Sequence, residues 1–271
     1  MYKEWYAAEI FAQNFPIQNW VTGEMVWSTN QYFAGVLIIN LSQSNKTEVK
    51  MTFFYPNEPA MDYEFTIQPG CQGRLFLGGD YPVLIPGLNL SKRFGLRIQS
   101  TESVVAQATL WERLPNDPIS NSMSTFMLHP GPLGKAEKGW CCVDSITLRN
   151  DKPLEEREWF TILNPNNQTA SCILRFYPGA RIDPQSHATM LNPEQLNLVD
   201  FPVSIPAESI FSILQSDIPG VQPNKAYSLI ASSDLPIVLQ GVRQIYTRGN
   251  NQAMRDFAVL DAMPVGHVDI K

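Results

Sequence analysis

The sequence predicts an all-β chain built of two tandem β-sandwich, jelly-roll-like domains related by internal duplication. Two observations predict it. Apolar residues come in short runs rich in Val, Ile, Phe and Tyr, bounded by Asn, Asp, Pro and Gly, with no sustained helical period. Four landmarks then recur in the same order in the two halves of the 271 residues, and self-similarity at this scale is the signature of a repeated unit.

The strand reading starts with Val36 to Asn40 and Val49 to Tyr55, separated by Ser42-Gln43-Ser44-Asn45, which read as a hairpin. Trp159 to Asn164 and Ser171 to Tyr177, around Pro165-Asn166-Asn167-Gln168, read as its counterpart. Alternation puts Thr52 and Phe54, with Leu174 and Phe176, on the expected core face. Phe53 and Tyr55, with Arg175 and Tyr177, point the other way, toward a domain or subunit contact. Short antiparallel strands with one apolar face are stabilised by a second sheet, so a sandwich leads and a closed barrel comes second.

The repeat begins with Lys3-Glu4-Trp5-Tyr6-Ala7-Ala8-Glu9 against Lys138-Gly139-Trp140-Cys141-Cys142-Val143-Asp144, 135 positions apart. An aromatic-led strand ending in asparagine follows in both halves, at Asn40 and Asn164, 124 apart. Phe54-Tyr55-Pro56 matches Phe176-Tyr177-Pro178 at 122, and the stretch Ser100 to Gln107 matches Ser233 to Gln240 at 133. The offset changes only between landmarks, where loops accept insertions. The copies are expected at residues 1–131 and 136–271, joined by the turn-rich His129-Pro130-Gly131-Pro132-Leu133-Gly134. Each is of ordinary domain size.

Composition narrows the class. A 44% hydrophobic and 17% charged chain with 21 Pro and 16 Gly is a packed protein of short strands and many turns. The formal charge of -6 disfavours a phosphate-binding surface, so no nucleic-acid partner is expected. Met1 to Phe15 lacks the pattern of a signal peptide, and no apolar run reaches membrane-spanning length. Cys71, Cys141, Cys142 and Cys172 form no C-x-x-C pair and read as reduced thiols. Together these point to the cytoplasm. The sequons at Asn45 and Asn167 then carry no weight.

The ordered landmarks, with Arg175-Phe176-Tyr177-Pro178, Val203-Ser204-Ile205-Pro206-Ala207 and Ser232 to Gln240 followed by Arg243, resemble the sensory rhodopsin transducer family. Each half looks like one member, and the second half is the closer. The resemblance implies a cytoplasmic β-sandwich that assembles into homo-oligomers. It also implies either coupling to the cytoplasmic face of a membrane receptor or binding of a sugar-like small molecule. A fused pair departs from the family's pattern, so receptor-contact residues do not carry over.

Catalytic constellations are sparse in the sequence, and a non-enzymatic protein without cofactor or metal is expected. His129, His187 and His267 fall in a linker, a loop-like insert and the tail; Asp183 with His187 lacks metal-ligand spacing. Gly70-Cys71-Gln72-Gly73 and Gly78-Gly79 lack the lysine of a phosphate loop and read as turns. Glu155-Glu156-Arg157-Glu158 reads as an exposed charged connection.

The residues left as ligand or interface candidates are Gln107, Gln240, Arg243, Arg175, Tyr177 and Trp111. Gln107 and Gln240 occupy the same point of an apolar strand, where an amide either satisfies nearby backbone or faces a shared pocket or interface. Arg243 lies on the opposite face from Gln240 and is suited to an acid across an interface; the first copy has Leu110 there. Trp111, with Trp20 and Trp27, serves either packing or sugar stacking. Two function classes follow: a ligand-binding or transducer-like module, and a structural protein whose paired sandwiches build closed oligomers.

Overall fold

The computed structural model describes the chain outside residues 1, 11–15, 19–24, 28–30, 78–84, 91, 115–116, 131–137, 147–153, 180–196, 223–224, 248–253 and 266–271. Its first half runs β1 (Glu4–Ile10), β2 (Pro16–Gln18), β3 (Met25–Trp27), β4 (Gln31–Asn40), β5 (Thr47–Phe54), β6 (Met61–Ile67), β7 (Gln72–Leu77), β8 (Phe94–Ser100), β9 (Val104–Leu114), β10 (Asp117–Met127) and β11 (His129–Pro130). The second runs β12 (Gly139–Ile146), β13 (Leu154–Asn164), β14 (Ala170–Pro178), β15 (Val199–Ile205), β16 (Ser209–Leu214), β17 (Ala226–Ser233), β18 (Val238–Thr247), β19 (Met254–Asp261) and β20 (Met263–Pro264).

Four antiparallel sheets result. Sheet I is β11-β1-β8-β5-β6 and sheet II is β10-β9-β4-β7; sheet III is β20-β12-β17-β14-β15 and sheet IV is β19-β18-β13-β16. The second pair repeats the strand order of the first, which is the duplication expressed as topology. A small β2-β3 ribbon belongs to the first half. The expected junction at 131–136 lies wholly outside the described residues, and His129, expected in the linker, pairs in β11 with Tyr6 of β1.

Two of the recurring landmarks prove to be internal staples. The Trp5 indole donates to the Val104 carbonyl at 3.1 Å, and Trp140 to Ile237 at 2.8 Å, tying the first strand of one sheet to the start of a strand in the other. The buried Asn40 amide donates to the carbonyls of Asn45, Ile67 and Gln68, and Asn164 to those of Gln168, Ile205 and Pro206. Each asparagine also accepts from the backbone two residues on, Ser42 or Asn166. Such an amide, buried with all its donors satisfied, fixes a chain reversal more firmly than turn propensity does.

That reversal is not a hairpin. β4 pairs with β7 and β9 in sheet II, whereas β5 pairs with β6 and β8 in sheet I, and the same holds for β13 and β14. The link crosses from one layer to the other, so the expected hairpins are corrected to inter-sheet arches stapled by Asn40 and Asn164.

The register also corrects the third landmark. Val49 and Cys172 stand opposite Ser100 and Ser233, so these strands correspond at an offset of 123 and Phe53 matches Phe176. The Phe-Tyr-Pro match is one residue out, and a slip of one exchanges the two faces. Phe53 and Tyr55 therefore belong to the first sandwich core, with Met51, Leu96, Ile98, Val36 and Ala108. Leu174 and Phe176 face the second core as expected, with Leu229, Ala231, Ile162 and Leu239. Arg175 and Tyr177 correspond to Thr52 and Phe54 and lie on the outer face of their sheet.

The outer face of sheet I is solvated only in part, at Glu48, Lys50, Asp62 and Glu64. Tyr6, Ala8 and Phe54 pack with Leu163 and Ile210 of the second half, while Trp159 and Val242 of sheet IV join the first half's core. The layers thus follow the order II, I, IV, III. Contact is close at Gly95, where an added Cβ would lie 2.8 Å from Ile210 Cγ2 and 3.0 Å from Leu163 Cδ1. Gly95→Val is expected to push the two halves apart and lower stability by about 1–3 kcal/mol, read as a reduced urea midpoint with unchanged slope.

Candidate functional site

The most elaborate polar cluster among the described residues lies in this seam. A β-bulge between Ala7 and Ile10 turns Glu9 out of the alternation of β1, and the same bulge recurs between Cys142 and Ser145 of β12. The Glu9 side chain is fully buried. Its Oε2 accepts from the Trp159 indole at 2.7 Å and from the Thr161 hydroxyl at 2.6 Å, and Arg93 Nη1 reaches Oε1 at 3.1 Å. Arg93 also stacks on Trp159, its guanidinium carbon 4.3 Å from the ring centroid. A carboxylate removed from water persists only with this kind of pairing and donation.

Gln240 completes the cluster. Its Nε2 donates to the Glu9 carbonyl at 3.0 Å and its Oε1 accepts from the Glu9 N–H at 3.4 Å, so one buried amide satisfies both backbone groups of the bulged residue. A second tie closes the far end of the seam, where Ser209 Oγ donates to the Tyr55 carbonyl and accepts from the Asn57 N–H.

The sequence candidates divide between several places. Gln240 lies in the seam between the halves, where its amide satisfies the backbone of Glu9. Gln107 stands at the equivalent position on the outer face of sheet II, half-buried, opposite Leu37 as Gln240 is opposite Thr161. Arg243 has an acid partner within its own sheet. It pairs with Glu158 of the neighbouring strand at 3.1 Å, opposite it in register. Glu158 is buried, and the run Glu155 to Glu158 belongs to β13 rather than to an exposed connection.

Arg175 forks onto Asp200 across β14 and β15, Nε to Oδ1 at 2.6 Å and Nη2 to Oδ2 at 2.7 Å, beside Tyr177 on the open face of sheet III. Trp111 occupies β9 opposite Phe33 and Met123, but its side chain and that of Trp27 lie outside the described ones. Trp20, Asp183, His187 and His267 are outside the described residues altogether. Among the described residues no three His, Cys, Asp or Glu side chains converge as metal ligands would, and no helix is long and apolar enough to cross a membrane.

Glu9 and Arg93 were not among the sequence candidates. The available signal was an acid held at one point of the opening landmark in both copies, Glu9 and Asp144, within a strand otherwise rich in Trp, Tyr, Ala and Cys.

No family model and no curated protein matches the chain. Among solved structures it is similar to the crystal structure of Thermotoga maritima 1070, at 18% identity and a TM-score of 0.37 over 49% of this chain and 99% of that one. It is also similar to the Anabaena sensory rhodopsin transducer, at 17% identity and a TM-score of 0.30 over 44% of this chain and 94% of that one. Neither likeness makes this chain a member of the neighbour's family.

Two outcomes follow from the geometry. Glu9→Ala should cost about 3–5 kcal/mol by removing the buried acceptor that the Trp159 indole, the Thr161 hydroxyl and Arg93 share, and Gln240→Ala about 1–3 kcal/mol by removing the amide that satisfies the Glu9 backbone. The double variant should lose less than the sum of the two, as denaturant melts will show. At the open face, the Arg175 fork holds Asp200 below its ordinary pKa. A lowered acid stabilises fully above its unfolded pKa, about 4, and loses that contribution as pH falls through the folded value. Asp200→Asn should therefore flatten the acid limb of the stability profile below about pH 4. The change should stay under about 1 kcal/mol, because the aspartate is half exposed.

Proposed function

We propose that this chain is a non-enzymatic docking module of the transducer-like kind, working in the cytoplasm through the flat outer faces of its sheets. The observation that carries the reading is the fate of Gln240. The polar group best placed to line a ligand site is sealed between the two halves, clamped on the Glu9 backbone with Trp159 and Thr161 beside it. Partly exposed instead are the sheet III face around Ile173, Arg175 and Tyr177 and the end of sheet II around Ile39 and Gln107, apolar and polar residues interspersed, a composition that fits protein surfaces better than small solutes.

The thiols fit the proposed compartment. Four free cysteines, with Cys142 and Cys172 buried and burial pushing the Cys172 thiol up to about 12, suit a reducing environment in which none need pair.

A thermal-shift screen of the whole chain against monosaccharides, disaccharides and common metabolites tests the reading. Docking through faces predicts melting temperatures unchanged across the library. A saturable rise with a sugar, abolished by Arg175→Ala or Trp111→Ala, would replace the docking module with a carbohydrate-binding protein.

A further inference from the structure

The duplication sets each interior position of one sandwich beside its counterpart in the other. Across sheet II, Leu77, Ala34 and Leu110 stand side by side on β7, β4 and β9, and all three are buried in the first core. Their counterparts in sheet IV are Gln215, Glu158 and Arg243. Glu158 pairs in register with Arg243, and Gln215 follows Leu214, the partner of Trp159. It opens a short 3-10 turn, Gln215–Asp217, that stays against β13. Alternation places this row inside the second sandwich, because Phe160, Phe211 and Ile213 on the same side pack in its core while Trp159, Leu214 and Val242 pack against the first half's. Glu158 and Gln215 are buried, and Arg243 reaches the surface with 15% of its side chain exposed. The change extends to sheet III, where Ser145 pairs with Tyr227 as Ile10 pairs with Phe94 in sheet I.

An apolar row therefore satisfies this fold, as the first copy shows, and the second copy replaces it with a carboxamide, a carboxylate and a guanidinium. The two charges answer each other, Arg243 Nε donating to Glu158 Oε2 at 3.1 Å. The Gln215 amide takes no part in that bond. Its Nε2 and its Oε1 are both buried, and neither has a hydrogen-bond partner. Native interiors rarely strand a whole amide, and polar groups buried in this way are the usual hosts of ordered internal water.

We infer that Gln215, Glu158 and Arg243 form an internal water site, in which water accepts from Gln215 Nε2, donates to its Oε1, and is held in turn by the Glu158–Arg243 pair. Residues paired across a sheet stand about 5 Å apart, a gap that one water spans. Water also suits the charge. The ion pair is already balanced, so an ionic occupant would bury a charge without compensation, whereas water brings a donor and an acceptor and no charge. The partly exposed Arg243 leads from the site to bulk solvent. The site sets where the second sandwich opens first: solvent can take over the bonds of its polar row, but it cannot replace the apolar contacts of the equivalent row in the first.

Water–protein cross-relaxation on the 15N-labelled whole chain measures the site directly, the Gln215 side-chain amide being assigned by its loss in Gln215→Leu. Transfer of the sign given by long-lived water is expected at that amide, and its absence overturns the inference. Stability gives a second readout. Gln215→Leu should lower the urea midpoint, because the ion pair loses the water it shares with the amide; a raised midpoint would mean that the amide was only stranded, and the site would fall. The variant Gln215→Leu/Glu158→Ala/Arg243→Leu gives the second copy the row of the first. It should fold with a raised midpoint and slow amide hydrogen exchange in residues 209–217 by roughly tenfold. Exchange in that segment unchanged by the triple variant overturns the link between the site and opening.

Discussion

A single carboxylate withdrawn from water sets how the two halves of this chain meet. The apolar part of the seam, Phe54, Leu163, Ile210 and the space left by Gly95, supplies most of the attraction, but burial of apolar area is non-directional and tolerates neighbouring registers. Glu9 does not. Its side chain finds an indole N–H, a hydroxyl and a guanidinium together in one placement of β1 on sheet IV, and in any other it is a buried charge without compensation. Buried ion pairs add little net stability against well-packed apolar substitutes, and their best-attested use is to select one arrangement among several. The Gln240 amide reinforces the same choice by reading the bulge itself.

Glu9 depends in turn on the bulge, which depends on strand register, which depends on the staples. Trp5 and Asn40 in one copy, and Trp140 and Asn164 in the other, bind backbone carbonyls at matching points of the two sandwiches. They hold the two sheets of each sandwich at a fixed offset and so decide which residues of β1 and β12 face outward. The two copies keep these internal devices in common while their outer faces have parted. Where sheet IV offers Trp159 and Thr161, sheet II offers Gly35 and Leu37. The constraint inside each sandwich is common to both copies, and the seam chemistry is not.

This division explains what was legible in the sequence. The fold class, the repeat and the recurrence of Trp5 as Trp140 follow from residues whose partners lie within their own copy, and such residues recur. The face assignment in the first copy failed because Phe53-Phe54-Tyr55 offers aromatics in three consecutive positions, so alternation alone cannot tell the core face from one buried against another domain. The hairpin reading failed for a related reason. Asn40 and Asn164 look like turn residues, and the sequence does not show that the carbonyls they bind come partly from another strand's end rather than only from the adjoining turn. Glu9 was passed over because an acid near a chain's start reads as solvated unless its burial is known, and its donors are some 150 residues away.

Fusion of the copies gives that divergence a physical basis. Two sandwiches joined in one chain meet at a high effective concentration, so their seam can form with contacts that would be too weak between separate molecules. More consequentially, it is made once per chain and is free to become asymmetric. A lone sandwich that used the same two faces on identical neighbours would have to satisfy every contact with one set of side chains. In a tandem chain the internal contact can acquire a buried Glu9 with Trp159 and Thr161 as donors, while the outer faces keep the half-exposed Ile39, Gln107 and Tyr177, which carry no buried charge. A surface of that composition can be solvated and then covered without stranding an ion. That is the property required of a face that docks and separates, and the permanent seam does not need it.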